Sequence, residues 1–352
     1  MERYIGLDVH QASTTMAVVG PSGKVLRTEV IETSAAALIS ALKSVQGVRH
    51  VCFEECTQSV WLYEVLVSHV EELVVCGVGE SRGPKSDAID AVRLAQDLRT
   101  GQILQKVFKE QGAYLTLREL SHAHLMVVSD VVRAKNRLKN LYRSRGIQVA
   151  GKSVYSLTAR REYIERLPRQ MLAAAKTLYG VYDTLEDFRE RAEHELVEEA
   201  RRHKISRILQ TCPGLGPIRV AEMIPIVVSP HRFRTRRQFW SYCGLGIVMR
   251  SSSDWVQSAD GRWQRAQVNR TRGLNVRHNR QLKVIFKGAA TTVINHCPND
   301  PLHQAYQKLV TQGTKPNLAK LTLARKIAAI ALAMWKTEEE YRPEKYLTKQ
   351  NA

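Results

Sequence analysis

The sequence predicts an α/β N-terminal half, a helical linker, and a mainly α-helical C-terminal half. Three observations carry this expectation. Over roughly the first hundred residues, short β-branched runs alternate with helix-like stretches in the order β-β-β-α-β-α-β-α. From about 112 to 203 apolar residues recur at helical spacing, and beyond 205 further helical runs follow a Pro/Gly turn.

Composition narrows the function classes. A chain of 352 residues with 44% hydrophobic and 25% charged content has the length for two or three globular domains. Its 53 Lys+Arg against 34 Asp+Glu leave a net charge of +19. That excess favours a polyanionic partner, and nucleic acid is the commonest. Cys52, Cys56, Cys76, Cys212, Cys243 and Cys297 show no ligand-pair spacing, so neither a zinc site nor a disulfide framework is expected. The N-terminus opens on strand-like residues instead of a signal peptide, and no run of about 18 apolar residues suggests a membrane span. A cytoplasmic, nucleoid-associated protein in a reducing compartment is the expectation.

Tyr4 to His10 reads as a first strand, Thr14 to Gly20 as a second, and Pro21-Ser22-Gly23-Lys24 as the turn into Val25 to Val30. Aspartate is depleted in strands, so Asp8 among Ile5, Leu7 and Val9 calls for a partner or a metal. A helix over 34–45, a short strand His50 to Glu54, a helix from Trp61 and a strand Leu73 to Val78 follow. Next comes Lys85-Ser86-Asp87-Ala88-Ile89-Asp90-Ala91, opening a further helix. Its two carboxylates, three residues apart, are neighbours on one helix face and repel each other unless a cation lies between them. Hard divalent ions such as Mg²⁺ favour such oxygen donors. Acids on the first strand, at the end of the fourth and on the helix after the fifth suit an RNase H-like (RuvC-like) nuclease core. In such a core the side chains meet at one end of the sheet and hold metal ions against a phosphodiester.

Three pieces of this half, Tyr4-Ile5-Gly6-Leu7-Asp8, Phe53-Glu54-Glu55-Cys56-Thr57 and Lys85 to Ala91, resemble the DEDD transposases of the insertion sequence 110 family, also called bridge recombinases, and the related Piv DNA invertases. Carried over residue by residue, the resemblance implies that Asp8, Glu54, Asp87 and Asp90 are catalytic and bind Mg²⁺. Glu55 is the rival for the second place, because strand alternation lets only one of two adjoining glutamates face the site.

The stretch 112–147 is helical and basic, with Arg133, Lys135, Arg137, Lys139, Arg143 and Arg145 crowding its end, as suits a phosphate backbone. Residues 160–203 read as one long or broken helix, with Pro168 near the start of its main part. Leu178, Leu185 and Ala192 recur every seven residues, as do Val181 and Phe188, and the resemblance points to a coiled-coil linker used in assembly. Pro213-Gly214-Leu215-Gly216 between two short helices forms a helix-hairpin-helix-like turn, whose glycines would let backbone approach phosphate. Phe233 to Trp240 interleaves cations with aromatics, as nucleic-acid surfaces do.

Ser251-Ser252-Ser253 follow Gly244-Leu245 and Arg250 and by composition form a polar loop. The family's C-terminal transposase domain runs in this order to a catalytic loop serine, and counting from Gly244-Leu245 places the nucleophile at Ser252. The family's following glycine is Ser253 here, so Ser251 and Ser253 stay open as alternatives. Beyond it lie a basic segment through Arg280 and helices near 281–290 and 318–335.

The domain expectation is 1–150 for the RuvC-like DEDD domain with basic helices, 151–204 for the linker, 205–340 for the transposase domain, and 341–352 for a polar tail. The resemblance, covering Tyr4 to about Trp335, further implies donor and target DNA, a structured guide RNA and a homo-oligomer, dimer or tetramer. A RuvC-type endonuclease using water and a non-catalytic nucleic-acid assembly protein are the rival readings.

Overall fold

The computed structural model describes residues 1–77, 86–103, 112–249, 255–265 and 271–344. The chain divides into two compact units, Met1–Glu110 and Gln111–Ala352.

The first unit is built on β1 (Glu2–Val9), β2 (Ser13–Val19), β3 (Val25–Glu32), α1 (Ala35–Ser44), β4 (Val48–Glu54), α2 (Ser59–Leu66), β5 (Glu72–Cys76) and α3 (Asp87–Thr100). Its five-stranded sheet has the order β3-β2-β1-β4-β5. The first three strands form an antiparallel meander, while β4 and β5 run parallel to β1 and to each other. Strand alternation divides the residues between two faces. Ile5, Leu7, Val51, Phe53 and Val75 bury against Leu38, Leu42, Leu62 and Leu66 of α1 and α2. On the other face, Cys52, Val74 and Cys76 meet Leu94 of α3. The mixed sheet with helices on both faces is consistent with an RNase H-like domain.

The second unit begins with α4 (Leu115–Arg143) and, after the short α5 (Arg160–Glu165), α6 (Leu172–Arg201). These two long helices pair along their length as an antiparallel hairpin. At its tip Val131, Ala134, Leu138 and Tyr142 of α4 pack on Ala175, Tyr179 and Tyr182 of α6. At its base Leu117, Leu196 and Ala200 enter a second core. That core is made by α7 (Lys204–Gln210), α8 (Pro217–Val227), α9 (Arg236–Tyr242), α10 (Arg280–His296), α11 (Pro301–Thr311) and α12 (Pro316–Thr337). Between α9 and α10 run four short strands, β6 (Ile247–Met249), β7 (Trp255–Gln257), β8 (Trp263–Arg265) and β9 (Thr271–Leu274), with β6 paired to β9 and β7 to β8.

Several local expectations change once packing is known. By its contacts α4 is committed to α6 and α8 and falls in the second compact unit. The heptad residues of α6 split: Leu178 and Leu185 pack against the hairpin core, while Val181 and Phe188 stay exposed. Phe233 and Phe239 do not form a nucleic-acid surface; they are buried, with ring centroids 4.9 Å apart. A capping box between Thr235 and Gln238 starts α9 at that point and turns both rings into the core, leaving Arg234, Arg236 and Arg237 outside. Gly214, at φ +82°, is required by internal packing, since a Cβ there would lie 2.4 Å from the carbonyl oxygen of Ala289 on α10.

Candidate active site

The acids of the first unit converge because α3 lies close on the sheet. A Cβ on Gly6 would sit 2.0 Å from the Ala91 carbonyl oxygen and 2.7 Å from the Ala95 amide nitrogen. Only glycine permits that approach. Asp8 is the next residue of β1 on the same face, and Asp87 and Asp90 lie in the first turn of α3, just before Ala91. The Ser86 hydroxyl caps this helix by accepting from the Ile89 N–H, and the two aspartates sit at the positive end of its dipole.

His10, one residue past the end of β1, completes the group. Its Nε2 lies 3.4 Å from Asp8 Oδ2 and 3.5 Å from Asp87 Oδ2. Among the described residues, Asp8, His10 and Asp87 each offer a ligand atom, all within 4.8 Å of one another. Glu54 ends β4, next to β1, and accepts from the Arg93 guanidinium at 3.0 Å; the same guanidinium lies 3.4 Å from Asp90 and 3.7 Å from Asp97. Glu55 is exposed, and its backbone N–H donates to the Cys76 carbonyl at 2.8 Å. Of the two adjoining glutamates, Glu54 is the one on the Asp90 side.

Burial pushes the Asp8 carboxyl above its ordinary range; His10 opposes this, and Asp87, Asp90 and Glu54 add to it. The four acids therefore form one electrostatic group with a surplus of negative charge. His10, beside Asp8 and Asp87, and Arg93, beside Glu54 and Asp90, offset part of that surplus. A donor set of carboxylate oxygens and one imidazole, short of positive charge, fits a divalent cation. Sequence reasoning missed both His10 and Arg93. Their signal was adjacency to Asp8 and a three-residue offset from Asp90.

Ser251, Ser252 and Ser253 lie outside the described residues. The described chain around them forms a base, in which β6 and β9 pair Ile247 with Leu274 and Met249 with Thr271. That base is fixed by a compact set of contacts. The Trp240 indole N–H donates to the Arg325 carbonyl at 2.8 Å, and Arg325 Nε donates to the Leu245 carbonyl at 2.7 Å. Asn275 donates through Nδ2 to the carbonyl and hydroxyl oxygens of Ser241. Gly244, at φ +66°, lies under the His278 ring, where a Cβ would approach within 2.2 Å.

Residues 5–144 match the family model of DEDD insertion-sequence transposases, and residues 206–307 match that of the IS116/IS110/IS902 transposase family. Both halves thus point to one family, in the same order along the chain. The chain belongs to the IS110/IS116 transposase family. A relative from Streptomyces clavuligerus, described as an insertion element IS116 uncharacterized 44.8 kDa protein, is 23% identical over 399 aligned residues. The match spans 97% of this chain and 96% of that relative. The first family match contains Asp8, Glu54, Asp87 and Asp90, and the second spans Ser251 to Ser253. No helix among the described residues is long and apolar enough to cross a membrane.

Proposed function

We propose that this transposase is a Mg²⁺-dependent site-specific DNA recombinase that cuts and rejoins donor and target DNA through a phosphoserine at Ser252. The observation that carries the reading is the convergence of Asp8, Glu54, Asp87 and Asp90 where β1, β4 and α3 meet. Asp8 and Asp87 would hold the ion together, with Glu54 and Asp90 completing the set. A bound divalent ion supplies positive charge that polarises a phosphodiester and stabilises the charge developing on it.

The serine step balances without an external energy source. Ser252 Oγ bonds to phosphorus, the bond from phosphorus to the 3′ oxygen breaks, and the serine proton ends on the departing 3′ hydroxyl. A 3′ hydroxyl from the other DNA then attacks the phosphoserine and restores the serine. The hydrogen-bonded set of Trp240, Arg325, Leu245 and Asn275 anchors the described chain that leads toward Ser252.

A structured RNA guides the transposase by pairing with donor and target, so that the protein itself reads chiefly backbone and shape. The exposed Arg133, Arg137, Arg143 and Arg145 of the hairpin tip suit that backbone. Lys135 is less available, being held 2.6 Å from Glu186. A dimer or tetramer does the exchange in the bacterial cytoplasm, at the nucleoid, and Val181 and Phe188 on the outside of α6 suit the assembly contact.

Covalent trapping tests the reading. Protein, RNA, Mg²⁺ and labelled donor and target DNA are incubated, denatured and resolved. A DNA-linked band lost in Ser252→Ala but retained in Ser251→Ala and Ser253→Ala is the expected result. Nicked DNA with no adduct would show that water is the nucleophile.

A further inference from the structure

We propose that Arg93 stands in the acid cluster as a built-in cation in place of a second divalent ion, so that the site takes one metal ion per chain; the proposal rests on the divalent-metal reading above. Arg93 lies three residues after Asp90 and four before Asp97 on α3, and its guanidinium meets both. It also crosses to the end of β4, where Nη2 donates to Glu54 Oε1 at 3.0 Å. The same nitrogen lies 3.4 Å from Asp90 Oδ1, and Nη1 lies 3.7 Å from Asp97 Oδ2. One planar fork therefore joins carboxylates from a helix and a strand.

The seat of α3 fixes this placement. Ala91 and Ala95 face Gly6 of β1, and Leu94 packs with Cys52 of β4 and with Val74 and Cys76 of β5. With the helix held at these points, position 93 is carried to the end of β4, and a long side chain there reaches Glu54.

The four acids thus divide into two pairs. Asp8 and Asp87 share His10, an imidazole that is charged only when protonated. Glu54 and Asp90 share Arg93, a guanidinium that stays charged at any working pH. Mg²⁺ needs oxygen ligands at about 2.0–2.1 Å, and two ions acting on one phosphodiester lie about 3.5–4 Å apart. A second ion bridging Glu54 and Asp90 through the oxygens that face Arg93 would meet the guanidinium nitrogen and its positive charge. The pair left for the metal is Asp8 and Asp87, where burial and the neighbouring acids hold the Asp8 carboxyl above its ordinary range. A carboxylate has two oxygens, so contact with Arg93 through Oε1 and Oδ1 does not remove Glu54 and Asp90 from the set around that single ion. The ion then supplies one positive centre and the guanidinium another, and only the first depends on the supply of metal.

The experiment counts ions on the metal-free, full-length protein. Mn²⁺, which accepts the same oxygen and nitrogen donors, is added under titration calorimetry and electron paramagnetic resonance. Wild type is expected to bind one Mn²⁺ per chain with the spectrum of an isolated ion, and Asp87→Asn to lose it. Arg93→Gln should bind two, with the broadened spectrum of a coupled pair, whereas Arg93→Lys, which keeps a positive charge, stays at one. Two ions in wild type would overturn the proposal and leave the metal reading standing. That count needs no variant, so it decides the matter even if Arg93→Gln folds poorly. A single ion in Arg93→Gln with wild-type circular dichroism would also overturn it, since the guanidinium would not be what excludes the second. So would an ion retained in Asp87→Asn, which would place the bound metal elsewhere. No bound Mn²⁺ at all would remove the metal reading itself, and this proposal with it.

Discussion

Two half-buried charge clusters sit in this transposase, and they are balanced in opposite ways. At the end of β1, burial and three neighbouring carboxylates drive the Asp8 carboxyl upward, and His10 offsets this only in part. On the α4/α6 hairpin, burial also acts against the Glu186 carboxylate, yet Lys135, Arg189 and the Tyr182 hydroxyl bring it down to about 2. Lys135 lies 2.6 Å from one carboxylate oxygen, Arg189 2.5 Å from the other, and the Tyr182 hydroxyl donates at 2.9 Å. The hairpin cluster is complete by itself and its task is to hold two helices together. Among the described residues the first cluster holds more acid than base, a balance that suits a cation.

The largest effect expected from this difference is on the unbalanced cluster. Asp8→Asn and Asp87→Asn should each lower DNA cleavage by at least about 10²-fold, the scale on which one transition-state-stabilising group acts. They should also abolish the heat of Mg²⁺ binding in calorimetry, while the metal-free melting temperature of Asp8→Asn rises. The rise follows from linkage: a carboxyl whose folded value is raised costs stability when ionised, so its neutral replacement gains at neutral pH. That gain disappears as the pH falls through the raised folded value toward the unfolded one. A metal-free Asp8→Asn protein that melts below wild type at pH 7 would show that Asp8 is structurally satisfied.

Gly6→Ala should come next. Its new methyl meets the backbone of α3, which has no flexible side chain to move aside, so a loss of about 3 kcal/mol is expected. Because α3 carries Asp87 and Asp90, the same change should weaken Mg²⁺ binding although no ligand is removed. Normal affinity in a destabilised protein would separate the helix contact from the site.

These two residues also show what was legible in the sequence. Asp8, Glu54 and the Asp87/Asp90 pair stood out because each breaks a local rule: an acid in a strand, an acid at a strand end, like charges on one helix face; the family resemblance is what joined them into one candidate site. The succession of strands and helices along the first hundred residues was readable for the same local reason, in alternation and turn residues, whereas their order across the sheet was not. The contact between Gly6 and Ala91 was not, since nothing in either segment announces its distant partner. Phe233 and Phe239 misled because arginines lie between them; the Thr235 and Gln238 spacing was the available signal that a helix begins there and turns both rings inward. Strand alternation alone left Glu54 and Glu55 open, with the family motif favouring Glu54, and in the structure Glu54 is the one that meets Arg93.

The balanced cluster should respond in stability alone. Glu186→Gln leaves Lys135 and Arg189 without their shared carboxylate and should cost about 2 kcal/mol at neutral pH. Since the folded value is depressed, this contribution is present above the ordinary glutamate range of about 4.5 and is lost as pH falls toward about 2. The wild-type and Glu186→Gln melting curves should therefore converge across that window. DNA cleavage by the variant, measured well below its melting temperature, should be unchanged. A cleavage defect there would mean that the hairpin charge takes part in nucleic-acid binding.

The smallest effect is expected at His10, where the two descriptions of the site diverge most usefully. If the imidazole is a ligand, His10→Ala should weaken binding of Mn²⁺, which accepts nitrogen donors, by about tenfold and that of Mg²⁺ by less. If it serves only as a counter-charge to Asp8 and Asp87, its removal should leave the carboxylates more repulsive and strengthen the binding of both ions. Titration calorimetry on the metal-free protein distinguishes the two by the sign of the change. His10 lies 3.4 Å and 3.5 Å from the two carboxylate oxygens, a separation a cation could enter without moving the backbone, so weaker Mn²⁺ binding is the outcome the geometry favours.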